Sequence, residues 1–430
     1  MALQTEVPHD ISAAGLIREY LSLVKELSLQ KEPQALIEAY RTRAQFVVPT
    51  DRVVSLSRRG MPPGKARITR STTWETAINP WATPDRLPVV ESGMFLRLLE
   101  AGHAVKIDNL EIDHGDPAAP YLSGMRSLAS TPIFHDGEPL YMVNMMRADR
   151  PFSLAEVATI ILTANLIGRA TEHMVQASEI QRLNAALERE FNHIGQIQRG
   201  LLPAKLPQIP GVTIATHYET STQAGGDYYD FFDLGDDRWG ILIADVSGHG
   251  ASAAVEMARA HALLHADLDD RCDVRSLPAA TLQQLNRALH RTMRPGAFIT
   301  AFYAHYHTRS RKLVFANAGH NAPRLMRMNA AESTALPLTD GMPLAIVDEL
   351  EIQQKEITLK PGDRLLLYTD GITETFNRGA EMFGIEGLDG AMRACGGSAQ
   401  CMIHKVIEDV RTFGDGPPAD DRTLVALAFQ

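Results

Sequence analysis

Apolar positions along these 430 residues follow three rhythms, and each rhythm marks out its own region. In residues 17–29 and 32–46 they recur three and four apart, which predicts two helices. Alternation then takes over and predicts strands over 52–57, 66–73, 104–107, 128–134 and 140–146, with a short helix over 94–99. The turn His135-Asp-Gly-Glu138 suits a hairpin between the last two strands. A second rhythm fills 153–200, one long predicted helix. Its later part places Ile180, Leu183, Leu187, Ile194, Ile197 and Leu201 at heptad spacing, with Glu190 at one seam position and Phe191 beside it. A seam of this kind buries against a second helix, so it predicts a coiled-coil homodimer; the competing reading is a helix packed on its own domain. Leu202-Pro203, Pro207 and Pro210 end it.

The third rhythm runs from residue 212 to the end. Strands are predicted over 239–244, 298–306, 312–318, 364–368 and 423–429, and helices over 251–268, 277–293 and 400–413. Two packed sheets with helices outside them would bury these faces. The expected organisation is therefore α+β and multidomain: 11–150 a sensor-like module, 151–203 a helical linker, and 204–430 a larger sandwich.

Composition narrows the class. Apolar residues make up 45% and charged residues 22%, the balance of a soluble globular protein. A formal charge of -10 and a pI near 5.8 argue against nucleic acid as a partner. The apolar stretch 157–168 is too short to span a bilayer, and the N-terminus lacks a signal peptide's basic and apolar segments, so no membrane association is expected. Cys272, Cys395 and Cys401 form no CxxC pair. Neither a disulfide scaffold nor a thiolate zinc site is expected, and a reducing cytoplasm is the implied location.

The candidate chemistry lies in four acidic runs of the last region: Gly225-Gly-Asp-Tyr-Tyr-Asp230, Ala244-Asp-Val-Ser-Gly-His-Gly250, Tyr368-Thr-Asp-Gly-Ile-Thr-Glu374 and Ala419-Asp-Asp-Arg-Thr-Leu-Val425. Each sets an Asp where an apolar run meets a turn or begins a strand. Taken singly, each is an ordinary turn carboxylate. Taken together they suit hard divalent cations, and two such ions side by side activate water and clamp a phosphoryl group. Adjacent carboxylates at Asp420-Asp421 repel, which a cation would relieve.

The same region is similar to the SpoIIE/RsbU-type branch of the PPM (PP2C-like) serine/threonine phosphatases. The matching blocks, in order, are Gln198-Arg-Gly-Leu-Leu-Pro203, Gly225-Gly-Asp-Tyr-Tyr-Asp-Phe231, Asp245-Val-Ser-Gly-His-Gly250, Phe298-Ile-Thr-Ala-Phe-Tyr303, Asn317-Ala-Gly-His-Asn-Ala-Pro323, Gly341-Met-Pro-Leu344, Tyr368-Thr-Asp-Gly-Ile-Thr-Glu374 and Asp420-Asp-Arg-Thr-Leu424. The resemblance implies an α-β-β-α sandwich and two Mn²⁺ or Mg²⁺ ions. Asp245 would bridge them, the carboxylate of Asp227 and the carbonyl of Val246 would complete one shell, and Asp370 and Asp420 would hold the other. A water activated between the ions would attack phosphorus. His249 is a candidate general acid against the competing reading of a solvated turn histidine, and His320 reads as structural support. No Arg occupies 213–226, where larger PPM domains carry a phosphate-binding one.

The N-terminal module resembles the GAF family in length, element order and the paired strands around 127–146. That implies either a small-ligand pocket or a module that packs only on another subunit. No cysteine precedes Cys272, which excludes a cysteine-linked chromophore there. The resemblance as a whole implies a cytoplasmic, dimeric protein phosphatase, gated by its sensor, acting on a phosphorylated STAS-domain protein in a partner-switching pathway. The rival readings are a catalytically weak scaffold and a hydrolase of small phosphoesters.

Overall fold

The computed structural model describes residues 13–266, 273–328, 330–337 and 341–430, and the chain divides into two units, Met1–Asn184 and Ala185–Gln430. The division falls inside one helix. The last residues of the helix predicted over 251–268, and Cys272, lie outside the described residues.

The first unit begins with two helices, α1 (Ala13–Ser28) and α2 (Pro33–Val47). There follow β1 (Arg52–Ser57), β2 (Ala66–Ser71), β3 (Val89–Val90), α3 (Met94–Ala101), β4 (Val105–Ile107), α4 (Ala119–Leu122), β5 (Ser127–His135), β6 (Glu138–Arg147) and α5 (Leu154–Arg199). The strands form one antiparallel sheet in the order β3-β2-β1-β6-β5-β4. Alternation along β6 splits its methionines between the two faces. Met142 and Met146 pack with Val54, Leu56, Phe95 and Leu99, while Met145 packs with Phe152, Val157 and Ile160. The turn between β5 and β6 takes positive φ at Asp136 (50°) and Gly137 (84°), the backbone that a two-residue hairpin loop requires.

Helix α5 has 46 residues. By length and composition alone it passes as a membrane-crossing helix, a test that the core helix of a soluble protein passes too. One face of its first half is buried, at Val157, Ile160 and Ala164. Ile180, Leu183 and Leu187 are exposed. Further along, Ile194 is only partly exposed, and Gly195 and Gln198 are buried.

The second unit contains β7 (Val212–Glu219), β8 (Tyr228–Gly235), β9 (Arg238–Val246), α6 (Ala251–His265), α7 (Pro278–His290), β10 (Ile299–His307), β11 (Lys312–Ala318), β12 (Arg324–Met326), β13 (Thr334–Ala335), β14 (Gln354–Thr358), β15 (Arg364–Tyr368), α8 (Asp370–Thr373), α9 (Gly384–Ala394), α10 (Ala399–Phe413) and β16 (Arg422–Phe429). They build two five-stranded antiparallel sheets, β14-β11-β10-β9-β8 and β13-β12-β15-β16-β7. Ile241, Ile243 and Phe302 from the first sheet share one core with Leu365, Val425 and Leu427 from the second. Helices α6 and α7 cover the outer face of the first sheet, and α9 and α10 that of the second. The result is four layers, helix-sheet-sheet-helix.

One sequence expectation is overturned here. Cys395 and Cys401 are joined in a disulfide, with Cα atoms 5.8 Å apart. Cys395 follows α9 and Cys401 lies in the first turn of α10, where Ser398 caps the helix by accepting the Cys401 amide at 3.1 Å. The short connection 396–400 folds back on itself, so six residues of separation suffice without a CxxC motif.

Candidate active site

Strand direction brings the four acidic runs together before any side chain is considered. β8 and β9 are antiparallel, so Asp227 just before β8 and Asp245 near the end of β9 lie at one end of their sheet. β15 and β16 are antiparallel as well, which puts Asp370 after β15 beside Asp420 before β16. The two ends meet. The Thr369 hydroxyl donates to the buried Asp227 carboxylate at 2.8 Å, and the Gly226 amide donates to Asp421 at 2.7 Å. Two glycines permit this closeness. A Cβ on Gly226 would lie 2.7 Å from the Val246 carbonyl oxygen, and one on Gly371 would lie 2.1 Å from that of Asp421.

The electrostatics follow from the crowding. Burial, reinforced by the charges of Asp227, Asp370, Asp420 and Asp421, pushes the Asp245 carboxyl up to about 10. Burial, with Asp421 and Asp370 adding to it, pushes Asp227 up to about 8. Asp370 is raised too, by burial and then by Asp420 and Glu374. Among the described residues, no ion pair with a protein cation reaches Asp227, Asp245, Asp370 or Asp420. Carboxylates gathered so closely without a counter-charge fit externally supplied divalent cations, and an all-oxygen set fits Mg²⁺ or Mn²⁺.

The remaining predicted residues fall into place around this centre. Val246 is buried with its carbonyl facing Gly226. Asp420 is exposed at the rim. His249 is exposed on the turn between β9 and α6, flanked by Gly248 and Gly250 at positive φ. His320 is buried, and burial holds it down at about 4, so it is neutral. Its Nδ1 lies 2.8 Å from the hydroxyl of Thr300, the cross-strand partner of Asp245.

Three residues carry more of the geometry than the sequence indicated. Asp421 accepts from the amides of Ser221 (2.8 Å) and Gly226 (2.7 Å), so it anchors the loop that presents Asp227. Thr369 bridges the two sheets, donating to Asp227 and accepting from the Thr423 amide at 2.9 Å. Gln198, near the end of α5, is buried. It accepts from the Gly225 amide at 3.0 Å and donates to the Gly225 carbonyl at 2.6 Å and the Tyr218 hydroxyl at 2.9 Å. In the sequence Gln198 opens the matching block Gln198-Arg-Gly-Leu-Leu-Pro203, but nothing there pointed to its contact with Gly225.

A family model described as Stage II sporulation protein E (SpoIIE) matches residues 235–430, which include Asp245, Asp370 and Asp420 and begin just after Asp227. The chain is 28% identical over 251 residues to the phosphoserine phosphatase RsbU of Bacillus subtilis (strain 168), covering 58% of this chain and 72% of that protein. It is 27% identical over 198 residues to the phosphoserine phosphatase RsbP of the same organism, covering 45% of this chain and 47% of that protein, so it spans about half of RsbP. Among solved structures, the SiaA-PP2C domain of Pseudomonas aeruginosa superposes with a TM-score of 0.49 at 22% identity, over 59% of this chain and all of that one.

Proposed function

We propose that residues 235–430, which match the SpoIIE family model, form a PPM-type serine/threonine phosphatase domain, and that the chain removes phosphate from phosphoserine or phosphothreonine on a regulatory protein. The observation that carries the reading is the meeting of Asp227, Asp245, Asp370 and Asp420 at one end of the two sheets with no protein counter-charge among the described residues. In this reading Asp245 would help to hold both of two Mn²⁺ or Mg²⁺ ions. Asp227 and the Val246 carbonyl would hold one of them, and Asp370 and Asp420 the other. Bound there, the ions supply a lowered water pKa and neutralise phosphoryl oxygens. The chain's own contribution is positional: Thr369, Asp421 and Gln198 hold Asp227 at a fixed offset from Asp245, and rigid ligands are what such a site needs. Exposed His249 stands at the rim, within reach of solvent for proton exchange.

The substrate assigned is a phosphorylated STAS-domain protein in a partner-switching pathway, and the location assigned is the cytoplasm. Residues 11–150 form the GAF-like sensor, 151–203 the linker and 204–430 the catalytic domain. Support for a sensor comes from a cavity of about 1260 Å³ in the first unit, bordered by Arg70, Trp74, Trp81, Tyr141 and Thr163. Support for a dimer comes from the exposed Ile180, Leu183 and Leu187 on α5. Gating has a physical route, because the last turn of the same helix carries Gln198, which clamps Gly225 two residues before Asp227. The test is phosphate release from phosphorylated STAS-domain proteins of the same genome, with and without Mn²⁺ and with chelator. Full release after exhaustive metal removal overturns the reading. Activity on free phosphometabolites alone favours a small-molecule hydrolase.

A further inference from the structure

On the other face of the catalytic sheet lies a second ligand set that the phosphatase chemistry does not use. Side chains alternate along β8. Tyr229 points toward the second sheet, its hydroxyl 3.3 Å from that of Thr216 in β7. Tyr228, Asp230 and Phe232 point the opposite way, toward α6: Tyr228 meets His261 edge-on, and Phe232 lies against His265 with ring centroids 5.3 Å apart. His261 and His265 are one helical turn apart on α6, so both reach the same side, and their rings stack at 4.2 Å. Asp230 is only 5% exposed, yet it meets no Arg or Lys among the described residues; His265 Nε2 lies 2.7 Å from its Oδ2. One ligand atom from each of Asp230, His261 and His265 falls within 4.8 Å of the other two, and no other His, Cys, Asp or Glu trio among the described residues is so tight.

The geometry points to a divalent-metal site of two imidazoles and one carboxylate, formed by Asp230, His261 and His265 and separate from the aspartate centre. Two nitrogens and one oxygen select a borderline ion such as Zn²⁺ over Mg²⁺. In a tetrahedral shell with bonds near 2 Å, neighbouring ligand atoms stand about 3.3 Å apart. The His265–Asp230 pair would therefore open by roughly half an ångström to admit the ion. The Asp230 carboxylate is already held in one orientation, with the Tyr228 hydroxyl donating to Oδ2 at 2.5 Å and the Phe231 amide to Oδ1 at 2.7 Å. Those hydrogen bonds orient the carboxylate as outer partners of a metal ligand do. His265 is partly exposed, which leaves a path for the ion and a position for water. An ion there ties α6, the helix after the Asp245 turn, to β8, the strand that starts at Tyr228, next to Asp227.

The test is titration of the full chain with Zn²⁺, and with Co²⁺ as a spectroscopic probe, in a large excess of Mg²⁺ that occupies the aspartates. One equivalent of Zn²⁺ should bind, and Co²⁺ should give the intense visible bands of low coordination. His261→Gln removes one ligand and leaves the His265–Asp230 pair intact, so it should fold. It should weaken binding at least ~100-fold and abolish the Co²⁺ bands, as should His265→Gln. Asp370→Asn should leave both signals unchanged. Zinc binding that survives His261→Gln, or no zinc uptake above the Mg²⁺ background, overturns the site.

Discussion

Replacing Gln198 with Leu tests whether the end of α5 fixes the aspartates of the proposed centre. The native amide makes three hydrogen bonds in a buried setting, two of them to the backbone of Gly225. Leucine fills nearly the same volume but leaves the Gly225 amide and carbonyl without partners. Each orphaned buried group costs about 1–3 kcal/mol, and leucine's extra apolar burial returns roughly 1 kcal/mol. The expected destabilisation is about 3 kcal/mol. Gly225 lies two residues before Asp227, so part of this loss should appear as displacement of that carboxylate. If about 1.4 kcal/mol does, the Mn²⁺ midpoint of activity rises tenfold. Denaturant unfolding measures the first quantity, and Mn²⁺ titration of aryl-phosphate hydrolysis the second. A variant within ~0.5 kcal/mol of the parent and with an unshifted Mn²⁺ midpoint would refute the coupling.

Asp245→Asn should abolish turnover and yet raise the melting temperature of the metal-free protein, because it removes the carboxyl most strongly opposed by its neighbours; calorimetry in chelator with parallel rate measurements checks both halves. His305, buried with its Nε2 3.1 Å from the Val274 carbonyl, is held down at about 4 by burial. Its folded value lies below its unfolded one, so its contribution is complete above pH ~6.5 and lost as the pH falls toward 4. His305→Gln should therefore lose less stability than the parent over that window, by about 2–3 kcal/mol, in paired denaturant melts. If Ile180, Leu183 and Leu187 form the proposed dimer seam, Leu187→Glu should yield monomers and alter the proposed control by residues 1–150, since an unpaired carboxylate at a buried seam costs several kcal/mol. Light scattering with rates of both forms decides it, and an unchanged dimer with an unchanged rate shows the stripe is no seam.

Sequence pattern located the strongest elements well because their burial is one-sided or complete. The prediction over 312–318 coincides with β11, and that over 364–368 with β15, every residue of which is buried. What escaped were elements whose residues argue against their own conformation. α9 holds Gly384, Gly387 and Gly390, each unfavourable in a helix. A side chain at Gly387 would lie 2.7 Å from the ring of Phe383, one turn earlier at the helix N-cap, so room for that ring, not helix propensity, accounts for the glycine. β14 has the polar sequence Gln-Lys-Glu-Ile-Thr and is mostly exposed at a sheet edge, where alternation has little to report. For the site, the acidic runs gave the aspartates away, because a carboxylate between an apolar strand and a glycine is conspicuous. The residues that position them, Gln198 and Thr369, are neutral, and their hydrogen bonds join segments far apart in sequence. No local pattern encodes that.

The four aspartates are shared evenly between the two sheets and between two lengths of chain. Asp227 and Asp245 precede the turn at residues 361–362, and Asp370 and Asp420 follow it. A cut at that turn would yield two fragments, each owning half of the proposed reaction centre and neither able to complete it alone. Phosphatase turnover would then be a direct signal of complementation, appearing only when β15 and β16 have docked against β7 and the first sheet. By the same logic, core substitutions that shift one sheet along the other by a fraction of an ångström should silence the enzyme while it is still folded. The domain thus has a built-in check on its own assembly, with catalysis the last property to be gained and the first to be lost.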